Sequence, residues 1–136
     1  MRTFYSAVFY LIIPFILLRL LWRSIKAPDY RLRWHERFAY YGRPFPQGVI
    51  WFHAVSVGEA EALFPLVRRL HQQHPQAKLL ITTTTPTGSA RVQAVLGQTV
   101  AHVYLPYDTP TAVKRFMCTF KPVFAVIMET EIWPNL

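Results

Sequence analysis

Apolar residues fall along this chain in one long block and then in four short ones. From Phe4 to Leu18 only Ser6 is polar, and Leu20 to Trp22 carry the block past Arg19. The short runs are Val49 to Phe52, Lys78 to Thr82, Val100 to Leu105 and Val123 to Met128. Runs of that length bounded by turn residues predict buried strands. Between them the spacing changes to that of helices, over about Glu59 to Gln73, Pro86 to Leu96 and Thr111 to Phe120. In the first of these Leu63, Leu66, Val67 and Leu70 make an apolar stripe, and Pro65 marks a kink or a tight start. Thr85 before Pro86 is a helix start, and Asp108 is the expected N-cap of the third helix. Strand and helix alternating four times, with polar residues at every strand end, predict an α/β fold with a Rossmann-like parallel sheet.

The long block has a different meaning. It is slightly short of the roughly 20 residues that a spanning helix needs, but Arg19 can snorkel to head groups and Pro14 is tolerable inside a membrane helix. No small-residue cleavage site follows it, which argues against a removed leader. Arg19, Arg23, Lys26, Arg31 and Arg33 come after the block and Arg2 alone before it, so the positive-inside rule puts the C-terminal side in the cytoplasm. The expected organisation is a spanning or deeply embedded anchor over 1–25, a basic juxtamembrane segment over 26–47 and a Rossmann-like domain over 48–136. Within the second part, Arg31 to Tyr40 suits a short amphipathic helix on the membrane face, and Gly42 to Pro46 a linker.

Charge sharpens this division. The net +8 splits into +6 over residues 1–43 and +2 over residues 44–136. Basicity concentrated beside the apolar block suits anionic inner-membrane lipids and argues against a nucleic-acid groove. The one cysteine, Cys118, excludes an internal disulfide; its apolar neighbours Phe116, Met117 and Phe120 suggest a buried thiol.

The candidate chemistry lies where the strands end. In open α/β sheets ligands bind beyond the carboxyl ends of the strands, and His53, Ser56, Gly58 and Glu59 follow the first one. Ser56-x-x-Glu59 also has the form of a capping box. A carboxylate fixed in a first helical turn is kept ionised by the helix dipole, which suits a general base, so cap and base remain open together. After the second strand, Thr85, Thr87 and Gly88 form a hydroxyl-rich helix start able to accept an anion, without a P-loop lysine. Glu129 and Glu131 follow the fourth strand; two acids there are expensive to bury and should face a cleft. No zinc pattern and no dinucleotide fingerprint occur, and His71 and His74 beside Pro75 suit solvated surface better than a metal. On these grounds alone, a membrane-tethered α/β module binding a lipid or nucleotide without catalysis stands level with an enzyme.

Five stretches carry a resemblance that separates the two. They are Lys26-Ala27-Pro28 after the apolar start, His53-Ala54-Val55-Ser56-Val57-Gly58-Glu59, Thr82 to Ser89, His102 to Asp108, and Met128-Glu129-Thr130-Glu131-Ile132-Trp133-Pro134-Asn135-Leu136. In this order they resemble the 3-deoxy-D-manno-octulosonic acid (Kdo) transferases of Gram-negative bacteria. The resemblance implies the N-terminal, acceptor-binding domain of a two-domain glycosyltransferase of GT-B type. Such an enzyme transfers Kdo from CMP-Kdo to the lipid A precursor at the cytoplasmic side of the inner membrane, with no metal or other cofactor. It implies Glu59 as the proton acceptor and Glu129 as the transition-state stabiliser, with His53, Ser56, Gly58, Thr85, Thr87, Gly88 and Glu131 as candidates for substrate binding. It also implies that the donor domain lies beyond Leu136, so that this chain is an N-terminal fragment.

Overall fold

The computed structural model describes residues 2–128 and 133–136. Helix α1 (Arg2–Lys26) is followed by two 3-10 turns, Pro28–Arg31 and Trp34–Phe38. Then come β1 (Ile50–His53), α2 (Val57–Gln73), β2 (Leu79–Thr83), α3 (Pro86–Leu96), β3 (Ala101–Tyr104), α4 (Pro110–Phe120) and β4 (Phe124–Ile127). Every strand pairing is parallel, and the order across the sheet is β3-β2-β1-β4. The predicted strands are all present, each within a residue or so of its expected ends.

Strand alternation divides the core in two. On one face Phe52 and Ile81 pack with Ala60, Leu63, Phe64 and Val67 of α2 and with Val92 and Leu96 of α3. On the other, Trp51, Leu80 and Val103 meet Ala112, Phe116 and Phe120 of α4. Burying sides of this kind is worth about 25 cal/mol per Å² of apolar surface, and it dictates which crossover covers which face. Because the chain leaves β1 towards β2 and later returns to its other side as β4, the sheet has its switch point between β1 and β4, where such folds leave a crevice.

Several expectations need correcting. Leu66 is exposed and Phe64 is buried in its place, because the stripe of α2 is centred on Ala60, Leu63, Phe64 and Val67. Cys118 is exposed; the buried line of α4 runs through Ala112, Val113, Phe116 and Phe120, which leaves position 118 on the far side. The N-cap of α4 is Thr109, whose Oγ1 accepts from the Ala112 N–H at 3.3 Å. Asp108 is instead buried and holds the C-terminal tail: its Oδ2 accepts from Asn135 N at 3.1 Å and its carbonyl from Asn135 Nδ2 at 2.7 Å. Helix α2 begins at Val57, two residues before its predicted start, and runs through Pro65.

The basic segment differs most. Arg31 to Tyr40 is not one amphipathic helix: Arg33 and Ala39, on either side of the second 3-10 turn, both have φ of 56°. Left-handed non-glycine residues persist where their surroundings over-determine them. Here Ala39 is packed into the core. Arg33 is held by Glu36 (Nε to Oε1 and Nη2 to Oε2, both 2.8 Å), by Ser89 Oγ at 3.1 Å and by the His102 carbonyl at 2.9 Å. Glu36 Oε2 also accepts from Tyr104 N at 3.0 Å. The pair therefore satisfies a free carbonyl and a free N–H on the outer side of β3, as a further strand would. Phe45 in the expected linker packs edge-on against Tyr41 and at a tilt against Phe120.

Helix α1 lies against this body. Ser6 Oγ donates to Asn135 Oδ1 at 3.1 Å, and the Tyr10 hydroxyl is 3.0 Å from Thr111 Oγ1. Ser6 and Ser24 are buried, whereas Phe4, Leu11, Phe15, Leu18, Trp22 and Ile25 are exposed along the opposite side. By length and composition Thr3–Lys26 could cross a membrane.

Candidate active site at the switch point

The site is built on the turn after β1. His53 ends the strand, Ala54 N donates to the Thr82 carbonyl at 3.0 Å, and Ser56 caps α2 in extended conformation. Ser56 Oγ accepts from Glu59 N at 3.3 Å and donates to Glu59 Oε1 at 2.8 Å. Glu59 Oε2 accepts from Val55 N at 2.8 Å. In a standard capping box the carboxylate reaches the N–H of the cap residue itself; here it reaches one residue further back and ties down the turn leaving β1.

Two donors hold the carboxylate, one on each oxygen. An ionised carboxylate has about four lone-pair sites, so sites remain on both oxygens for an incoming proton. Glu59 is half-buried, which fixes its rotamer and leaves it accessible. Thr84 Oγ1 donates to the Val55 carbonyl at 3.1 Å, so the end of β2 braces the same turn. Geometrically the arrangement can accept a proton from a hydroxyl presented to the crevice.

The other candidates divide by burial. His53 is 0% exposed, with Nδ1 at 2.8 Å from Thr82 Oγ1, which also accepts from Trp51 Nε1 at 2.8 Å. It lies within the sheet and not on the crevice surface. Thr85 caps α3 by accepting from Gly88 N at 3.1 Å, and Thr87 is exposed beside it. Gly88 is buried, and a Cβ there would meet Thr85 Oγ1 at 3.0 Å and Thr83 at 3.5 Å. It is glycine so that α3 can approach β2. A Cβ at Gly58 would meet Ser56 Oγ at 3.9 Å, an ordinary contact. Met128 N donates to the His53 carbonyl at 2.9 Å; Glu129 and Glu131 lie outside the described residues. Among the described residues no three side chains of the metal-binding types converge.

One group near the site escaped the reading of motifs. Arg37 is 6% exposed and stands at the strand ends. Its Nη2 donates to the Thr84 carbonyl at 2.9 Å, its guanidinium lies 4.5 Å from the centre of the Tyr104 ring, and its Nε has no hydrogen-bond partner. The sequence signal for it is slight, a single basic residue among aromatic ones. Behind it, His102 Nδ1 is 3.2 Å from Arg33 Nη2 and its Nε2 is 3.0 Å from Thr83 Oγ1. Because guanidinium only donates, Nδ1 accepts and Nε2 carries the proton. Burial, then the Arg33 charge, push this imidazole down from 6.5 to about 3.

Comparison with known proteins places the chain in a family. Residues 32–136 match the 3-deoxy-D-manno-octulosonic-acid transferase (kdotransferase) family. A 3-deoxy-D-manno-octulosonic acid transferase of Haemophilus influenzae is 46% identical over 99% of this chain and 32% of its own length. A probable mitochondrial 3-deoxy-D-manno-octulosonic acid transferase of Arabidopsis thaliana is 39% identical over 97% of this chain and 30% of its own length. One from Bordetella pertussis is 39% identical over 64% of this chain and 21% of its own. The chain thus spans about a third or less of the length of the relatives it matches, and over that span it belongs to the 3-deoxy-D-manno-octulosonic-acid transferase family.

Proposed function

We propose that this chain is the acceptor half of a glycosyltransferase that moves Kdo from CMP-Kdo to the lipid A precursor, with Glu59 as the general base. The observation that carries the reading is the Glu59 carboxylate at the β1 end of the switch-point crevice, oriented by one hydrogen bond on each oxygen. It would take the proton from the acceptor hydroxyl as that oxygen attacks the anomeric carbon and CMP leaves. Glu129, close after β4 in the sequence, is proposed to stabilise the oxocarbenium-like transition state, as a carboxylate near developing positive charge would. Ser56, Gly58, Thr85, Thr87 and Glu131 are proposed acceptor contacts, while His53 and Gly88 act by shaping the strand ends that carry them. The chemistry asks for no resident metal or cofactor. CMP-Kdo would enter from a second, C-terminal domain of the GT-B arrangement.

The anchor is proposed to hold residues 26 onward at the cytoplasmic side of the inner membrane. The helix is proposed to span the bilayer or to lie deeply embedded in it, as its length and apolar composition allow.

The reading is tested with Glu59→Gln in a protein of full family length carrying this segment. Glutamine keeps the acceptor for Val55 N–H and removes the base. Turnover of the lipid A precursor should fall by roughly 10²–10⁴ with little change in melting temperature. A variant that melts and turns over normally would leave Glu59 as a cap only.

A further inference from the structure

Arg37 is a buried residue whose Nε has no hydrogen-bond partner. A buried donor left unmet costs free energy, so packing alone gives no reason for an arginine there. Its backbone is firmly held. The Arg37 carbonyl accepts from Tyr107 N at 2.8 Å, the neighbouring Glu36 accepts from Tyr104 N at 3.0 Å, and Ala39 is packed into the core. From this fixed place Nη2 donates to the Thr84 carbonyl at 2.9 Å. Thr84 follows the last residue of β2, so its carbonyl lies beyond the strand ladder and takes its donor from Arg37. The Thr84 hydroxyl donates to the Val55 carbonyl at 3.1 Å, and Val55 N donates to Glu59 Oε2 at 2.8 Å. Val55 is thus gripped on both of its peptide groups.

Three hydrogen bonds therefore run in series from Arg37 to the carboxylate, through residues far apart in the chain. We propose that Arg37 is a positioning residue for the general base: it fixes Thr84, Thr84 fixes the turn at Val55, and that turn aims the Glu59 carboxylate. This rests on the reading of Glu59 as the base. The charge strengthens the first link, since hydrogen bonds from ionised donors are roughly twice as strong as neutral ones. The Tyr104 ring, 4.5 Å away, steadies the guanidinium from the side. A base must come within about 2.6–3.2 Å of its partner atom, and a misplacement of about 1 Å from a distant change can cost on the order of 10²-fold. Arg37, Val55 and Thr84 also line the wall of an open cleft with Tyr107 and Trp133. Direct contact with substrate is therefore the rival role, and KM separates the two.

The test uses a protein of full family length carrying this segment, assayed well below the melting temperature of each variant. Arg37→Met should lower kcat by about 10–10²-fold, and Thr84→Val should lower it by a smaller factor. KM for the lipid A precursor should stay within about twofold in both. Thr84→Ser, which keeps the hydroxyl, should restore turnover, and Arg37→Lys, which keeps a charged donor, should restore part of it. The two substitutions are then repeated on Glu59→Gln. With no carboxylate left to aim, each should change the residual turnover by less than about twofold. A loss of the same factor in both backgrounds marks a general role in folding; it overturns the relay and leaves Glu59 as the base. Raised KM with kcat unchanged assigns Arg37 to substrate binding and overturns it too, as does normal turnover of both single variants. Normal turnover of Glu59→Gln alone removes the base, and the relay falls with it. Should Arg37→Met not fold, Thr84→Val, a change of similar shape at a half-buried position, carries the same comparison.

Discussion

At β3 the sheet ends against Arg33 and Glu36, which meet the outward carbonyl of His102 and N–H of Tyr104. At β4 it ends in exposed Val123, Phe124 and Ile127. Both are outer strands of one parallel sheet, and unpaired edges invite pairing with other chains. The first edge is closed by two side chains from a segment that composition marks as a membrane-facing tether. The second carries apolar residues with nothing described against them. The basic segment is thus part of the domain's architecture as well as a source of charge, and the two edges should respond to substitution in opposite ways.

The largest effect is expected at the closed edge. Glu36→Ala strands the Arg33 guanidinium and the Tyr104 N–H together. Breaking a buried pair costs about 3–5 kcal/mol, and since Arg33 keeps about a third of its side chain in solvent, roughly 2–3 kcal/mol is expected here. Urea unfolding of the chain would measure it, and Glu36→Gln, which retains an acceptor for Tyr104, should lose less.

Next comes acid. His102 is held neutral down to about 3 in the fold, below its ordinary 6.5. As pH falls through that window the unfolded chain takes up a proton that the folded one refuses. This site's share of stability is therefore complete above 6.5 and drains as pH drops towards 3, by at most about 1.4 kcal/mol per pH unit. Melting temperatures between pH 7 and 4 would show the slope, and His102→Gln should flatten it. A slope unchanged by that substitution would place the acid sensitivity elsewhere.

At the open edge the effect on stability should be smallest. Phe124→Lys puts a charge on an exposed position of β4 and should change unfolding free energy by less than about 0.5 kcal/mol. It should still reduce self-association of the 136-residue chain in light scattering, because lysine on an edge opposes pairing with a second strand. The same substitution placed in β2, at buried Leu80, would unfold the protein.

How much of this could be read in advance depends on the distance over which each interaction works. The strands were legible because a short apolar run between turn residues is a local signal. Ser56 and Glu59 were legible because a cap acts within four residues. Thr109 was within reach too: Pro110 at the first helical position designates the residue before it as the cap, and Asp108 drew attention only by its type. The 3.6-residue period through Phe116 and Phe120 likewise already places Cys118 outside. The closure of β3 was not legible. Arg33 and Glu36 read locally as a surface pair three residues apart, and nothing near them announces partners at His102 and Tyr104. Arg37 was hidden for the same reason, since its neighbours Thr84, just past β2, and Tyr104, at the end of β3, lie far along the chain.

The strand order also sets a timetable. β1 meets β2 through Ile50 and Leu79, and β2 meets β3 through Leu80 and Ala101, but the other side of β1 waits for Phe124 to reach Ile50. Closing the longer loop, 74 residues against 29, costs only about 0.8 kcal/mol more. The delay during synthesis is more consequential. At about 5–20 residues per second, the roughly 40 residues between the end of β2 and the end of β4 take on the order of 2–9 s to appear. For those seconds the central strand, which carries the turn to Glu59, has one bare side. The half of the sheet formed early must hold the site's turn in place before its second wall exists, and the brace from Thr84 to Val55 is made entirely of residues already synthesised.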